Sequence, residues 1–278
     1  MTTDAILDPL NDAQRKAVLA TRGPVLIIAG PGSGKTRVIA HRIAYLIDRE
    51  GVPPYRILAV TFTNKAAREM RDRVEGLLGD TARDVVLGTF HAVCARFLRI
   101  DGGRVGLGRG FNIYDEEDQQ ALMRRALDDF GLDQKQFHPR AVLSVISRAK
   151  SELASPAAFK QSVRSYFEEV SARIYARYQD LLAENNAVEL LRHHPDVREK
   201  YQQRFLHVLI DEFQDTNVAQ YVLARHLAGG HGNICVVGDP DQSIYSWRSA
   251  DIRNILNFER DYPGAKVVVL ERNYRSTQ

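Results

Sequence analysis

The 278-residue chain is 44% hydrophobic and 26% charged, the proportions of a soluble globular protein with room for one large domain or two modest ones. A formal net charge of +3 suits a nucleic-acid partner without requiring one, because a local basic groove matters more than the total. No segment reaches the length of a membrane span, Cys94 and Cys235 show no metal-ligand or disulfide spacing, and the acidic start MTTDAILDPLND lacks the apolar run of a signal peptide; a cytoplasmic protein is expected.

Taken in chain order, the first strand-like run is PVLIIAG (24–30), followed by a helical pattern in TRVIAHRIAYLIDRE. Between them lies Ala29-Gly30-Pro31-Gly32-Ser33-Gly34-Lys35-Thr36. A glycine-rich turn from a strand into a helix N-terminus is the setting of a phosphate loop. Its backbone N–H groups face the anion, and the glycines allow close approach. Lys35 is expected at the β- and γ-phosphates and Thr36 at Mg²⁺. Ala29 stands where the strict pattern has glycine, a substitution such loops accept. The bland alternative is a glycine turn ahead of a helix.

RILAVTFT (56–63), the helix pattern NKAAREMRDRVEGLL and DVVLGTF (84–90) follow. Runs that are apolar on successive positions suit strands covered on both faces, and strand alternating with helix argues for a parallel sheet. From Phe90 to Phe205 the strand signal disappears. HAVCARFLRI, DEEDQQALMRRALDDF, PRAVLSVISRAKSEL and YFEEVSARIYARYQDLLAE all read as helices, with starts at Asp115 and Ser155-Pro156. The block is too long for one crossover and reads as a helical subdomain inserted in a sheet domain. The expected division is 1–90 and 206–278 for the two parts of the sheet domain, with 91–205 as the insertion.

Strands resume with HVLIDEF (207–213), ICVVGD (234–239) and KVVVLERN (266–273). At the end of the first, Asp211 is expected to orient Mg²⁺ or its water shell and Glu212 to polarise the attacking water. An acidic pair opening a helix is the alternative. After the second, GDPDQSIYSWR offers Gln242 to a phosphate oxygen, and Tyr245, Trp247 and Arg248 as ring faces and a cation for unpaired bases. A lone Trp is usually core; here Ser, Arg and Asp surround it, which favours exposure.

With these motifs in this order, from LNDAQRKAV (10–18) through TFTNKAAREM, GTFH, DEFQD and GDPDQSIYSWR to LERNYRST (270–277), the chain resembles superfamily 1 DNA helicases of the UvrD/Rep/PcrA type. The resemblance implies a RecA-like α/β sheet of the P-loop NTPase class with an inserted all-helical subdomain. It implies ATP and Mg²⁺ as cofactors, single-stranded DNA and single/double-strand junctions as partners, and ATP-driven 3′ to 5′ movement. It further implies that Gln14 reads adenine, that Tyr274 stacks on it with Arg37 on the other side, and that Arg275 touches the γ-phosphate. Gln242 would couple that phosphate to the DNA face. Thr61, Phe62, Asn64, Thr89, Phe90 and His91 match DNA-contacting positions, as do Tyr245, Trp247 and Arg248. His91 outside its motif would read as a satisfied loop histidine.

Three departures stand out. The chain ends at Gln278, after NYRST, so only one wall of the two-lobed ATP cleft is expected from it, without the second RecA-like half and its arginine. ENNAVELLRHHPDV (184–197) lacks the acidic, aromatic block resembling DFDDLL that the family usually carries. Ser249 replaces the usual glycine of WRGA. The expected function is the ATP-binding half of a DNA helicase acting with repair or replication proteins. The alternatives are a nucleotide- or DNA-binding regulatory module without motor activity, and the helicase part of a RecB-like helicase–nuclease.

Overall fold

The computed structural model describes residues 4–106, 116–181, 187–239, 241 and 253–270. A six-stranded sheet in the order β3-β2-β4-β5-β1-β6 forms its centre, and every neighbouring pair is parallel. The strands are β1 (Val25–Ala29), β2 (Ile57–Thr61), β3 (Val86–Thr89), β4 (His207–Ile210), β5 (Ile234–Gly238) and β6 (Lys266–Leu270). Each falls within one of the six runs read from the sequence. The RecA-like α/β class is thereby borne out.

Alternation along the strands explains why their sequences are apolar throughout. Leu26, Leu58, Val60, Val208, Ile210, Ile234 and Val236 enter one core. Val25, Ile27, Ile57, Ala59, Leu209, Cys235 and Val237 enter the other. Successive side chains point to opposite faces, and here both faces are covered. The second core is closed by α1 (Asp12–Leu19), α2 (Lys35–Asp48) and α3 (Asn64–Leu78) through Ala17, Val38 and Met70.

The helices between β3 and β4 sort by the core they feed. From α4 (Phe90–Asp101), α9 (Ala187–His193) and α10 (Pro195–Arg204), Phe97, Leu190 and Tyr201 pack on the sheet's first core. Also on this face are α11 (Val218–Ala228) and α12 (Arg253–Asp261), which contribute Leu223 and Phe258. A third cluster stands apart. It is built from α5 (Glu116–Asp129), α6 (Pro139–Ser151), α7 (Pro156–Ser162) and α8 (Tyr166–Leu181), with Met123, Ile146, Phe159 and Tyr178 among its residues. The start expected at Ser155-Pro156 is present: the Ser155 hydroxyl accepts from the Ala158 N–H at 3.1 Å and Pro156 is the first helical residue. Asp115, the other expected start, lies outside the described residues. No helix among the described residues is long and apolar enough to cross a membrane.

This strand order decides where function can gather. Loops leaving the carboxyl ends of β4, β5 and β1 are neighbours, so 29–36, 211–215 and 239 meet there. The ends of β2 and β3 lie further along the same edge and carry 61–64 and 89–91.

Candidate nucleotide and nucleic-acid site

The loop after β1 turns on glycines that no other residue replaces cheaply. Gly32 has φ +71° and Gly34 φ +90°. A Cβ on Gly34 would also stand 2.9 Å from the Gln14 amide nitrogen. The Ser33 hydroxyl donates back to the Gly30 carbonyl at 2.7 Å and closes the turn. The N-terminus of α2 follows at once, with Lys35 and Thr36 as its first residues.

Lys35 is 9% exposed, and its ammonium donates to the Ala29 carbonyl at 3.3 Å and to the Asp239 carboxylate at 3.5 Å. The Thr36 hydroxyl donates to Asp211 Oδ2 at 3.0 Å, across 175 residues of sequence. Asp211 is 2% exposed. Burial pushes its carboxyl up to about 7, the neighbouring Glu212 adds to the rise, and the Thr36 hydrogen bond and Lys35 oppose it. Asp215 is raised to about 6, again by burial and then Glu212. Two carboxyl groups so placed respond strongly to a cation, which would draw both towards the charged form.

Glu212 has φ +51° and ψ +48°, the left-handed region that costs a β-carbon residue about 1–2 kcal/mol. Its carboxylate is held there by Gln214, which donates to Oε2 at 2.7 Å. The other end of the same amide accepts from the Asp239 N–H at 3.0 Å. Gln214 therefore ties Glu212 to the end of β5, whose Asp239 faces Lys35. Sequence reading placed Asp239 at a strand end without giving it a role, and passed over Gln214 and Asp215. The QD that completes DEFQD was the available signal.

Gln14 opens α1 in a reciprocal cap. Asn11 Oδ1 accepts from the Gln14 N–H at 2.8 Å, and Gln14 Oε1 accepts from the Asn11 N–H at 3.2 Å. Gln14 Nε2 also donates to the Ser33 carbonyl at 2.9 Å. The side chain is 1% exposed, and among the described residues its bonds leave one amide proton and one lone pair unused. Arg37 reaches the same end of α1, donating to the Pro9 carbonyl at 3.0 Å.

The residues expected to meet DNA divide by exposure. Asn64 and His91 are exposed and Phe62 is partly so, whereas Thr61, Thr89 and Phe90 are buried. The Thr61 hydroxyl is buried with no hydrogen-bond partner among the described residues, and Thr89 caps α4 by accepting from the Ala92 N–H at 3.2 Å. Phe90 and His91 line a cavity of about 560 Å³ bounded also by Lys150, Tyr175, Val188 and Asn217. The Lys150 ammonium lies 6.0 Å from the Tyr178 ring centre, has no ion-pair partner among the described residues, and is pushed by burial below the ordinary lysine range. Gln242, Tyr245, Trp247, Arg248, Ser249, Tyr274 and Arg275 lie outside the described residues.

The site suits Mg²⁺ in one particular way. Thr36 and Asp211 offer hard oxygen donors in mutual contact. No group of three or more His, Cys, Asp or Glu among the described residues could hold an ion alone. Mg²⁺ commonly takes one or two protein oxygens and completes its shell with phosphates and water.

A family model described as the UvrD/REP helicase N-terminal domain matches residues 10–263. The chain is 49% identical over 286 residues to the ATP-dependent DNA helicase PcrA of Bacillus subtilis (strain 168), covering 99% of this chain and 39% of that protein. It is 48% identical over 285 residues to PcrA of Staphylococcus aureus (strain Mu50 / ATCC 700699), with the same coverage of each. For PcrA of Leuconostoc citreum the identity is 47% over 289 residues, covering 100% of this chain and 39% of that protein. The chain thus spans 39% of the length of these curated relatives.

Proposed function

The chain belongs to the UvrD/REP helicase N-terminal domain family, and from that premise we propose that it is the ATP-binding lobe of a helicase moving 3′ to 5′ on single-stranded DNA. The observation that carries this reading is the meeting of Lys35, Thr36, Asp211, Glu212 and Asp239 at one sheet edge, anchored by the 3.0 Å contact of Thr36 with Asp211.

Backbone N–H groups of 32–36 and the N-terminus of α2 bind the phosphates, and Lys35 leaves Asp239 to neutralise the β- and γ-oxygens. Thr36 and Asp211 would hold Mg²⁺, which supplies positive charge to the phosphate oxygens when bound. Glu212, fixed by Gln214, accepts a proton from the attacking water. Gln14 and Arg37 set the base, with Tyr274 as its stacking partner. Gln242 and Arg275 respond to the γ-phosphate. Asn64, Phe62, His91 and the Tyr245–Trp247–Arg248 segment supply the DNA track, in which stacking contributes about 1–3 kcal/mol per base. The division into 1–90, 91–205 and 206–278 accompanies this reading, with α4, α9 and α10 as the stem through which the insertion joins the sheet. Repair or replication proteins and a cytoplasmic setting follow as expectations of the same reading.

Fluorescent-ATP titration with and without Mg²⁺, followed by ATP turnover with and without single-stranded DNA, tests it. Saturable Mg²⁺-dependent binding with DNA-stimulated turnover is expected. Nucleotide and DNA binding without stimulated turnover would instead support a regulatory module, and absence of nucleotide binding would overturn the reading.

A further inference from the structure

Arg42 is the largest fully buried side chain of the described residues, at 2% exposure, and no carboxylate pairs with it among them. Burying a cation is expensive unless hydrogen bonds compensate, and an apolar side chain of similar volume often packs there at lower cost. The compensation here is specific. Nη1 donates to the Ala17 carbonyl at 2.7 Å and to the Val18 carbonyl at 3.4 Å, and Nη2 donates to the Ala20 carbonyl. These are the carbonyls at the C-terminal end of α1, which have no partners within the helix. A positive charge at that end also complements the helix dipole.

The other end of α1 is Gln14, bonded to Ser33 in the phosphate loop. Arg42 itself sits on α2, about two turns beyond Lys35 at 3.6 residues per turn. One helix therefore carries the phosphate lysine at its start and, further along, the grip on the helix that presents Gln14. We propose that Arg42 is a positioning residue for base recognition. It holds α1 by its C-terminal carbonyls at a set depth over α2, and so fixes the Gln14 amide against the loop where adenine is read. Arg42 touches neither base nor phosphate; it acts through α1. The inference rests on the proposed nucleotide site.

The tests are Arg42→Met, which keeps the apolar stem, and Arg42→Lys, which keeps the charge and at most part of the grip. Affinity for a fluorescent ATP is measured on the whole 278-residue chain, with tripolyphosphate, which lacks a base, as competitor. For Arg42→Met, ATP affinity should fall about tenfold and preference over GTP should shrink, while tripolyphosphate affinity stays at the wild-type value. Arg42→Lys should lie between the two, and hydrogen exchange across 12–19 should quicken in both variants. Equal losses for ATP and tripolyphosphate would mean general damage to the loop and would overturn the proposal, as would unchanged ATP affinity. If Arg42→Met does not fold, the Arg42→Lys ratio of the two affinities decides by the same criteria. Wild-type protein that binds tripolyphosphate but shows no preference among bases sinks the inference and leaves the phosphate site standing. Wild-type protein that binds neither sinks the nucleotide reading itself.

Discussion

Lys35 and Gly34 carry the sharpest consequences among single residues. With its ammonium between the Ala29 carbonyl and the Asp239 carboxylate, Lys35 serves the protein's own charge balance and, on the proposed reading, the phosphate seat. Lys35→Met should weaken ATP binding roughly 10- to 100-fold, the loss of a charge-assisted contact, and leave the far-ultraviolet circular dichroism unchanged. Gly34→Ala should also impair binding, by a different route. It forces a β-carbon residue into φ +90° and against Gln14 Nε2, at a cost of about 1–2 kcal/mol, readable as a lower melting temperature. These residues were legible in the sequence because a phosphate loop is local: strand, glycines, lysine and helix lie within a dozen positions. Asp239 and Arg42 were not. Their roles depend on partners far off in the chain, and no periodicity announces such a contact.

At the scale of elements, β4 runs from the opposite end of the sheet to the edge proposed to hold nucleotide. It runs from His207 to Ile210, straight into Asp211. His207 is buried, and burial, followed by the charges of Arg42 and His231, pushes its imidazole from the ordinary 6.5 down to about 4. The folded state therefore keeps it neutral while an unfolded chain takes up a proton. Its contribution to stability is complete above about pH 6.5 and is lost as pH falls towards 4, by roughly 3 kcal/mol at the end of that window. His207→Leu should flatten the decline in urea midpoint between pH 6.5 and 4; an equally steep decline would assign the acid sensitivity elsewhere. The central strands β1, β2, β4 and β5 were readable as apolar runs because burial on both faces removes the polar half of the pattern, whereas the edge strand β6 is apolar although Lys266 and Val269 are exposed. The starts of α1 and α11 were readable in principle too. Asn11 with Gln14, and Asn217 with Gln220, form reciprocal caps. What no run of residues discloses is the strand order that sets β4, β5 and β1 side by side.

For the whole molecule, the proposed reading separates two tasks along one edge, with nucleotide over β4, β5 and β1 and DNA over β2 and β3. The cavity under Phe90 and His91 lies where the sheet domain meets α6 and α8, and Lys150 on its wall has no ion-pair partner among the described residues. A phosphate nearby would restore the charge that burial disfavours. Lys150→Ala should therefore weaken single-stranded DNA binding several-fold and lower the slope of log affinity against log salt by about 0.7, the value for one phosphate contact on a single strand. Unchanged affinity and slope would show that Lys150 makes no phosphate contact.

The left-handed backbone at Glu212 has an evolutionary corollary. Asparagine tolerates that conformation better than glutamate does, so Glu212→Asn should raise the melting temperature by a few degrees, on the order of 1 kcal/mol, while removing the carboxylate proposed to activate water. A population selected only for surviving heat would drift towards asparagine at this position, and one selected for turning over ATP would be drawn back to glutamate.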